Sequence, residues 1–204
     1  MNDSVKETVV IVTYFCCGKS TLAGMESPYS ILDFDSFLID QNKDTFTDSD
    51  KNRVAKYGSL PVDDHYLTTL LSSIGKYDVI LLSSKLQILE FLKKKKVPYV
   101  LVYPENTKAC IEEWERRNKE RGTEWLWEEN KDSFSSVIKC FLHDNNAIAH
   151  IALKSNEYLS MKLEEIIEVA KEYRSTVVEN RRSVKDKNDR YKNRGCFQNN
   201  KEIQ

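Results

Sequence analysis

The sequence has no apolar run long enough to cross a membrane. Its longest apolar stretches, at 79–82 and 99–103, are of strand length and fall far short of the roughly 20 residues that a spanning helix needs. Its first residues, Met1 to Ser4, also lack the basic and then apolar pattern of a signal peptide. We therefore expect a cytoplasmic protein without a membrane partner.

The five cysteines form no pattern typical of a disulfide scaffold or a zinc site. Cys16 and Cys17 are neighbours that can hardly bridge each other without strain, and no two cysteines stand in a CxxC pair. Structural zinc sites depend on such closely spaced ligands. We expect the cysteines to be structural or incidental, with neither a disulfide framework nor bound zinc.

Length and composition are those of a soluble globular protein with one domain. Of the 204 residues, 40% are hydrophobic and 31% are charged, which is typical of a packed core under a charged surface. The segment 179–204 holds eight Lys or Arg against four Asp or Glu. We expect one domain over residues 1–178 and a polar, basic, disordered tail over 179–204. The tail is the only feature that favours a nucleic-acid partner.

Apolar runs of strand length alternate with helical segments along the chain. The runs lie at 8–12, 30–32, 77–82, 98–103 and 148–153, and the first is β-branched throughout. This alternation is typical of βαβ units, and it predicts an α/β fold with a parallel sheet and helices on both faces. The polar segment 41–58 is interpreted as a loop with at most one short helix, and the last helix is expected over about 157–174.

A phosphate-binding motif follows the first strand directly, at Gly18-Lys19-Ser20-Thr21. A tight turn and a helix start direct backbone N–H groups at one place where phosphate can sit. Lys19 would neutralise the β- and γ-phosphates, and Ser20 would ligate the Mg²⁺ that bridges them. The full pattern G-x-x-x-x-G-K-[ST] is not met, because Thr13 stands at the first glycine and implies a different loop geometry.

Polar side chains also follow the second and third strands. Asp33 and Asp35 come at the end of the second strand, at the sheet edge where open α/β folds bind ligands. One carboxylate could accept the proton of an attacking hydroxyl while the other holds the metal, or both could simply cap a turn. The third strand ends in Ser83 and Ser84, which could contact phosphate or cap the next helix.

Arg116, Arg117 and Arg121 form the densest arginine cluster ahead of the tail. Guanidinium groups bind phosphoryl oxygens bidentately without losing their charge. A flexible segment ending at Gly122 could close on a nucleotide and exclude water. The alternative is an exposed helix held by neighbouring glutamates.

The order of these motifs over about residues 7–175 resembles that of P-loop nucleoside or nucleotide monophosphate kinases, which are similar to adenylate kinase and include phage and microbial proteins. The resemblance rests on the Gly-Lys-Ser-Thr turn, Asp33-Phe34-Asp35, and the segments 77–84, 97–104, 116–122 and 153–159. It implies the parallel-sheet P-loop NTPase fold of the nucleoside monophosphate kinase type. It also implies an ATP-dependent kinase that uses Mg²⁺.

The motifs and the resemblance together predict a set of site residues. The catalytic residues are Lys19, Asp33, Asp35, Arg117 and Arg121. The ATP-binding residues are Thr13, Cys17, Gly18, Lys19, Ser20, Thr21 and Arg116, and the metal ligands are Ser20 and Asp35. The expected reaction moves the ATP γ-phosphoryl to a nucleotide or other small acceptor. A nucleotide-binding module without turnover and a nucleic-acid 5′-end kinase stay open as alternatives.

Overall fold

A five-stranded sheet forms the centre of the molecule. The computed structural model describes residues 7–57 and 59–195, with side chains described as far as residue 179. The strands are β1 (Val9–Thr13), β2 (Ile31–Asp33), β3 (Val79–Ser83), β4 (Tyr99–Pro104) and β5 (Ala149–Leu153). They are ordered β2-β3-β1-β4-β5, and every neighbouring pair is parallel.

Helices flank the sheet and bury its central strands. They are α1 (Lys19–Ala23), α2 (Phe34–Asn42), α3 (Asp48–Tyr57), α4 (Asp64–Ser73), α5 (Leu86–Lys95), α6 (Lys108–Glu120), α7 (Glu124–Asn130), α8 (Phe134–Leu142) and α9 (Leu163–Gly195). Every residue of β1 and β4 is buried, so both faces of these strands are covered. The predicted α/β class with a parallel sheet and flanking helices is confirmed.

The register of the sheet brings the ends of three strands together. Thr13, which ends β1, lies opposite Ser83, which ends β3. Asp33, which ends β2, lies opposite Leu81 of β3. Because the strands are parallel, the residues that follow them gather at one edge of the sheet.

The segment 41–58 is mostly helical, which corrects its interpretation as a loop. Helix α2 reaches Asn42, a short 3₁₀ turn covers Lys43–Thr45, and α3 covers Asp48–Tyr57. A capping box starts α3: the Thr47 N–H donates to Asp50, and the Asp50 N–H donates to the Thr47 hydroxyl. The helix has few apolar residues, so its sequence carries little helical periodicity.

Helix α9 continues well beyond Arg174, where the sequence predicts its end. The chain has no proline and no glycine between Leu163 and Gly195, and its many Lys, Arg and Glu residues are strong helix formers. The helical backbone of 179–195 therefore differs from the disordered chain expected there. Residues 196–204 lie outside the described residues, and the division into domain and tail stays a prediction. No helix in the described part of the chain is both long and apolar enough to cross a membrane.

Candidate active site

The loop between β1 and α1 presents a run of backbone N–H groups without partners. Within the described residues, the N–H groups of 16–21 donate no hydrogen bond. Gly18 is left-handed, with a φ of 96°, and Cys16 also has a positive φ of 60°. Successive N–H groups around left-handed residues form nests that bind anions. Because α1 has only five residues, the loop itself supplies most of this anion cradle.

Gly18 is favoured for its left-handed backbone angles, whereas the space beside it would admit a Cβ at ordinary van der Waals contact. A Cβ at this position would lie 3.4 Å from Cδ1 of Tyr158. The same segment binds the loop through its backbone, because the Leu159 N–H donates to the Cys17 carbonyl at 2.9 Å. The residues that follow β5 thus hold the phosphate-binding loop from one side.

Two lysines and a tyrosine surround the buried carboxylate of Asp35. Lys19 Nζ lies 3.5 Å from Asp35 Oδ2, Lys85 Nζ lies 3.7 Å from Oδ1, and the Tyr66 hydroxyl donates to Oδ1 at 3.2 Å. Burial raises the pKa of Asp35, but the ammonium groups and nearby hydroxyls together lower it by more, so it lies below its usual range. Asp35 is therefore charged at neutral pH.

Ser20 and Asp33 form a second pair beside the loop. Ser20 Oγ donates to Asp33 Oδ2 at 2.8 Å, whereas Asp33 Oδ1 is buried without a hydrogen-bond partner among the described atoms. Ser83 Oγ is likewise buried without a hydrogen-bond partner among the described atoms. It nevertheless lies close enough to Asp35 to help lower the pKa of that carboxyl group. The structure thus brings Asp33, rather than the predicted Asp35, to Ser20.

This group of oxygens fits Mg²⁺. The described residues contain no cluster of three or more Asp, Glu, His or Cys side chains that could enclose a metal. Mg²⁺ does not need such a cluster, since it is usually bound by one or two protein oxygens together with water and substrate phosphates. Ser20 Oγ and the unpartnered Asp33 oxygen supply that kind of partial ligand set.

Lys85 is a site residue that the sequence reasoning missed. It precedes α5 and reaches back to donate to the Leu60 carbonyl at 3.2 Å, besides facing Asp35. Burial lowers the pKa of its ammonium group, Asp35 raises it, and Arg53 and Lys19 lower it, with a net lowering. Its position directly after Ser83 and Ser84, at the end of β3, was the available signal. Tyr66 had no comparable signal.

The side chains of three predicted ATP-binding residues are either buried in the protein or exposed to solvent. Thr13 is buried in the sheet, with its hydroxyl 3.4 Å from the Leu82 carbonyl. The Cys17 side chain is buried in the core, and burial raises the pKa of its thiol. Thr21 is exposed on α1. Of these, Cys17 and Thr21 can contact a phosphate through their backbone N–H groups.

Arg117 lies behind the loop instead of on a mobile segment in front of it. Its side chain is 4% exposed. The ring of Trp114 lies 4.2 Å from the guanidinium carbon on one side, and the ring of Tyr158 lies 3.9 Å from it. The guanidinium donates to Glu113 Oε1 at 2.8 Å, to the carbonyls of Ser155 and Glu157 at 2.9 Å each, and to the Cys16 carbonyl at 3.5 Å. Arg117 therefore joins the loop to the segment that follows β5.

The other two arginines differ in their distance from the loop. Arg116 is exposed and paired with Glu113 and Glu120 on α6, so the structure does not bring it to the loop. Arg121, also exposed, follows α6 beside Cys16. Burial raises the pKa of the Cys16 thiol, and the Arg121 guanidinium partly offsets this. Arg121 is thus the exposed member of the cluster that adjoins the cradle.

A cavity of about 170 Å³, here called the acceptor cavity, adjoins the Asp35 cluster. It lies between residues of α2, α3 and the start of α4. Two of its lining residues bind the cluster directly: the Leu60 carbonyl accepts from Lys85, and the Tyr66 hydroxyl donates to Asp35. Asp35 itself does not line the cavity, which reaches the Asp35 cluster through these two residues.

Helix α3, which lines this cavity, also contacts helix α7. The rings of Tyr57 and Trp125 meet edge to face with centroids 5.4 Å apart. Lys56 Nζ lies 3.6 Å from Glu129 Oε1 and 5.0 Å from the Trp125 ring. The helix beside the cavity is thereby linked to the segment that follows Arg121.

Comparisons with known proteins add little to this geometry. No protein-family model matches the chain, and no curated protein matches it. Among solved structures, the chain is similar to shikimate kinase from Acinetobacter baumannii in complex with shikimate, with 18% sequence identity and a TM-score of 0.43. The similarity covers 86% of this chain and 94% of that chain. A likeness of this degree supports no inference about activity, which has to come from the site residues.

Proposed function

We propose that the protein is an ATP-dependent phosphotransferase that moves the γ-phosphoryl group to a hydroxyl of a small molecule. One observation carries this proposal: the anion cradle, the Ser20–Asp33 pair and the Asp35 cluster meet at one sheet edge, beside a cavity. Phosphoryl transfer needs these parts, since its catalysis is mainly positioning and charge stabilisation. The resemblance to nucleoside monophosphate kinases stays a prediction.

The loop and Lys19 hold the phosphates in this proposal. The unpartnered N–H groups of 16–21 donate to the phosphate oxygens, as in other backbone nests. Lys19, whose ammonium group lies 3.5 Å from Asp35 Oδ2 in the structure, would turn toward the γ-phosphate when ATP binds. Arg121 is exposed beside Cys16 and can neutralise further phosphate charge.

Ser20 and Asp33 are the residues that would hold Mg²⁺. When bound, the ion supplies charge neutralisation between the β- and γ-phosphates. Ser20 directs its hydroxyl at Asp33, which fixes the position of both oxygens before any ligand arrives. The remaining Asp33 oxygen is buried without a partner in the described structure, and such an oxygen is costly unless it is used.

Asp35 orients the acceptor. Its charged carboxylate accepts a hydrogen bond from the acceptor hydroxyl, whose oxygen forms the new bond to phosphorus as the bond to the ADP oxygen breaks. The low pKa of Asp35 makes it a weak base, so the hydroxyl proton moves to it late in the reaction. A late transfer is sufficient, because the transition state is loose and the nucleophile carries little charge.

The two alternatives receive less support. A nucleotide-binding module would have no need for a cavity that adjoins Asp35 through Leu60 and Tyr66. A nucleic-acid end kinase depends on the basic tail, and the side chains of 180–204 lie outside the described residues. Both stay predictions.

Transfer from radiolabelled ATP to a panel of nucleosides, nucleoside monophosphates, sugars and oligonucleotides tests the proposal. We expect a labelled small product, and we expect Asp35→Asn to reduce its formation about 10²- to 10⁴-fold, the range typical of a lost acid–base group. Asp40→Asn is the matched control, since Asp40 is exposed on the same helix. ATP binding without transfer to any acceptor would favour the module instead.

A further inference from the structure

The acceptor cavity has an acidic and neutral polar lining. Asp50 of α3 and Asp63, which precedes α4, both line it, together with Asn42 and His65. Among the described residues, no lysine or arginine lines this cavity. The charged side chains that line the described cavity are therefore both negative.

Each of the two carboxylates has an oxygen left for a ligand. Asp50 Oδ2 accepts from the Thr47 N–H and hydroxyl at 3.0 and 2.6 Å. Asp63 Oδ1 accepts from the Tyr66 N–H at 2.8 Å and caps α4. In the described structure, the second oxygen of each carboxylate accepts no hydrogen bond. Both groups are thus fixed in place by one oxygen while the other can accept from a bound molecule.

The rest of the lining is apolar. It includes Leu38, Phe46, Leu60 and Pro61, together with Tyr66, whose hydroxyl donates to Asp35. Aromatic and aliphatic faces of this kind bind the carbon framework of a small molecule, while a few polar groups fix its orientation. The cavity therefore suits a compact body with a partly apolar face.

Three cations lie near the Asp35 cluster, and none of them is among the residues that line the cavity: Lys19, Lys85, and Arg53 of α3, which is close enough to Lys85 to help lower its pKa. Lys19 and Lys85 both bind Asp35, and their charge serves the transferred phosphoryl group. An acceptor with a phosphate or carboxylate remote from its reacting hydroxyl would place that group near Asp50 and Asp63. Like charges brought together at an interface disfavour binding.

We propose that the phosphoryl acceptor is an uncharged or amine-bearing hydroxyl compound, in the chemical class of nucleosides, sugars and amino sugars. Nucleotides and hydroxy acids are disfavoured because of Asp50 and Asp63. This inference rests on the proposed function, since it specifies the substrate class of the same site. It differs from the nucleotide acceptor that the sequence predicts.

Sets of related acceptors whose members differ in charge test this inference, and the double variant separates the effect of charge from the other differences within a set. The full chain is assayed for kcat/KM with glucosamine, glucose and glucuronate, and with adenosine and cytidine beside AMP and CMP. The double variant Asp50→Asn, Asp63→Asn removes both charges, and asparagine keeps the helix-capping hydrogen bonds. Asp48→Asn is the control, because Asp48 lies on α3 with a side chain 96% exposed and outside the cavity lining.

We expect the uncharged or amine-bearing member of at least one set to exceed its anionic counterpart by about tenfold or more in kcat/KM, as repulsion between partly screened charges implies. The double variant should reduce this ratio at least threefold, and the control should leave it unchanged. A preference for the anionic member, or a ratio unaffected by the double variant, would overturn the inference but leave the phosphotransferase in place. ATP binding without transfer to any compound would overturn the proposed function, and the inference with it.

Discussion

Replacing Arg117 with alanine tests whether this arginine has a structural or a catalytic role. The guanidinium holds three backbone carbonyls, from Cys16, Ser155 and Glu157, and makes cation–π contacts with two aromatic rings. Its removal takes the donor from three partly buried carbonyls and leaves the Leu159–Cys17 backbone hydrogen bond as the remaining hydrogen bond between the segment after β5 and the phosphate-binding loop in the described structure. We therefore expect the main effect of the substitution to be on stability.

The magnitude follows from these contacts. A buried acceptor that loses its donor costs about 1–3 kcal/mol, and a desolvated cation–π contact contributes about 0.5–2 kcal/mol. Partial relaxation and hydration of the carbonyls reduce the sum, so we expect a loss of about 3–5 kcal/mol, as for other broken buried charge networks. For a chain of this size, that loss lowers Tm by roughly 6–20 °C.

Thermal unfolding followed by circular dichroism measures this effect, with turnover assayed well below the lower Tm. Arg117→Lys keeps the charge but not the planar fork, and it should recover only a minor part of the stability. Arg116→Ala is the control on the same helix, since its exposed ion pairs contribute little. A wild-type Tm for Arg117→Ala combined with a large loss of kcat would refute the structural role and support a catalytic lid arginine.

Three further predictions concern the carboxylates and Lys85. Lys85→Met removes one of the cations that lower the pKa of Asp35, so the acidic limb of the kcat/KM profile should move to higher pH; an unmoved limb would contradict this role. Asp33→Asn should raise the Mg²⁺ concentration for half-maximal turnover about tenfold or more, and an unchanged Mg²⁺ titration would exclude Asp33 from the metal site. The pKa of Asp35 is lower in the folded state than in the unfolded chain. Its charged form therefore stabilises the fold above the ordinary Asp pKa of about 3.9. This stabilisation is lost as the pH falls below that value. Urea unfolding should therefore show a difference between wild type and Asp35→Asn that shrinks on acidification, and a difference that grows would be inconsistent with the lowered pKa.

The sheet and the phosphate-binding loop could be predicted because their signals are local. The β-branched run of β1 and the apolar runs of β3 and β4 are buried on both faces, and such strands are recognisable from composition alone. Gly18, Lys19 and Ser20 come shortly after the end of β1 at Thr13, so their place at the sheet edge follows from topology. The same topology places Asp33 and Asp35 at that edge.

The roles within the site could not be predicted, because they depend on contacts between distant segments. Arg117 is held by Ser155 and Glu157, about 40 residues away along the chain. Asp33 ends β2 whereas Asp35 lies in the first turn of α2, and this change of backbone directs one carboxylate to Ser20 and the other to the lysines. The residue spacing alone does not reveal where the strand becomes a helix.

Binding of MgATP to the full chain, measured by isothermal titration calorimetry, tests the central claim most directly. We expect wild-type protein to bind ATP more tightly than AMP, because the cradle and Lys19 contact the terminal phosphates. Lys19→Ala should weaken ATP binding at least tenfold, whereas Lys171→Ala, exposed on α9, should bind as wild type does. Equal ATP affinity in wild type and Lys19→Ala would contradict the phosphate site and the phosphotransferase built on it.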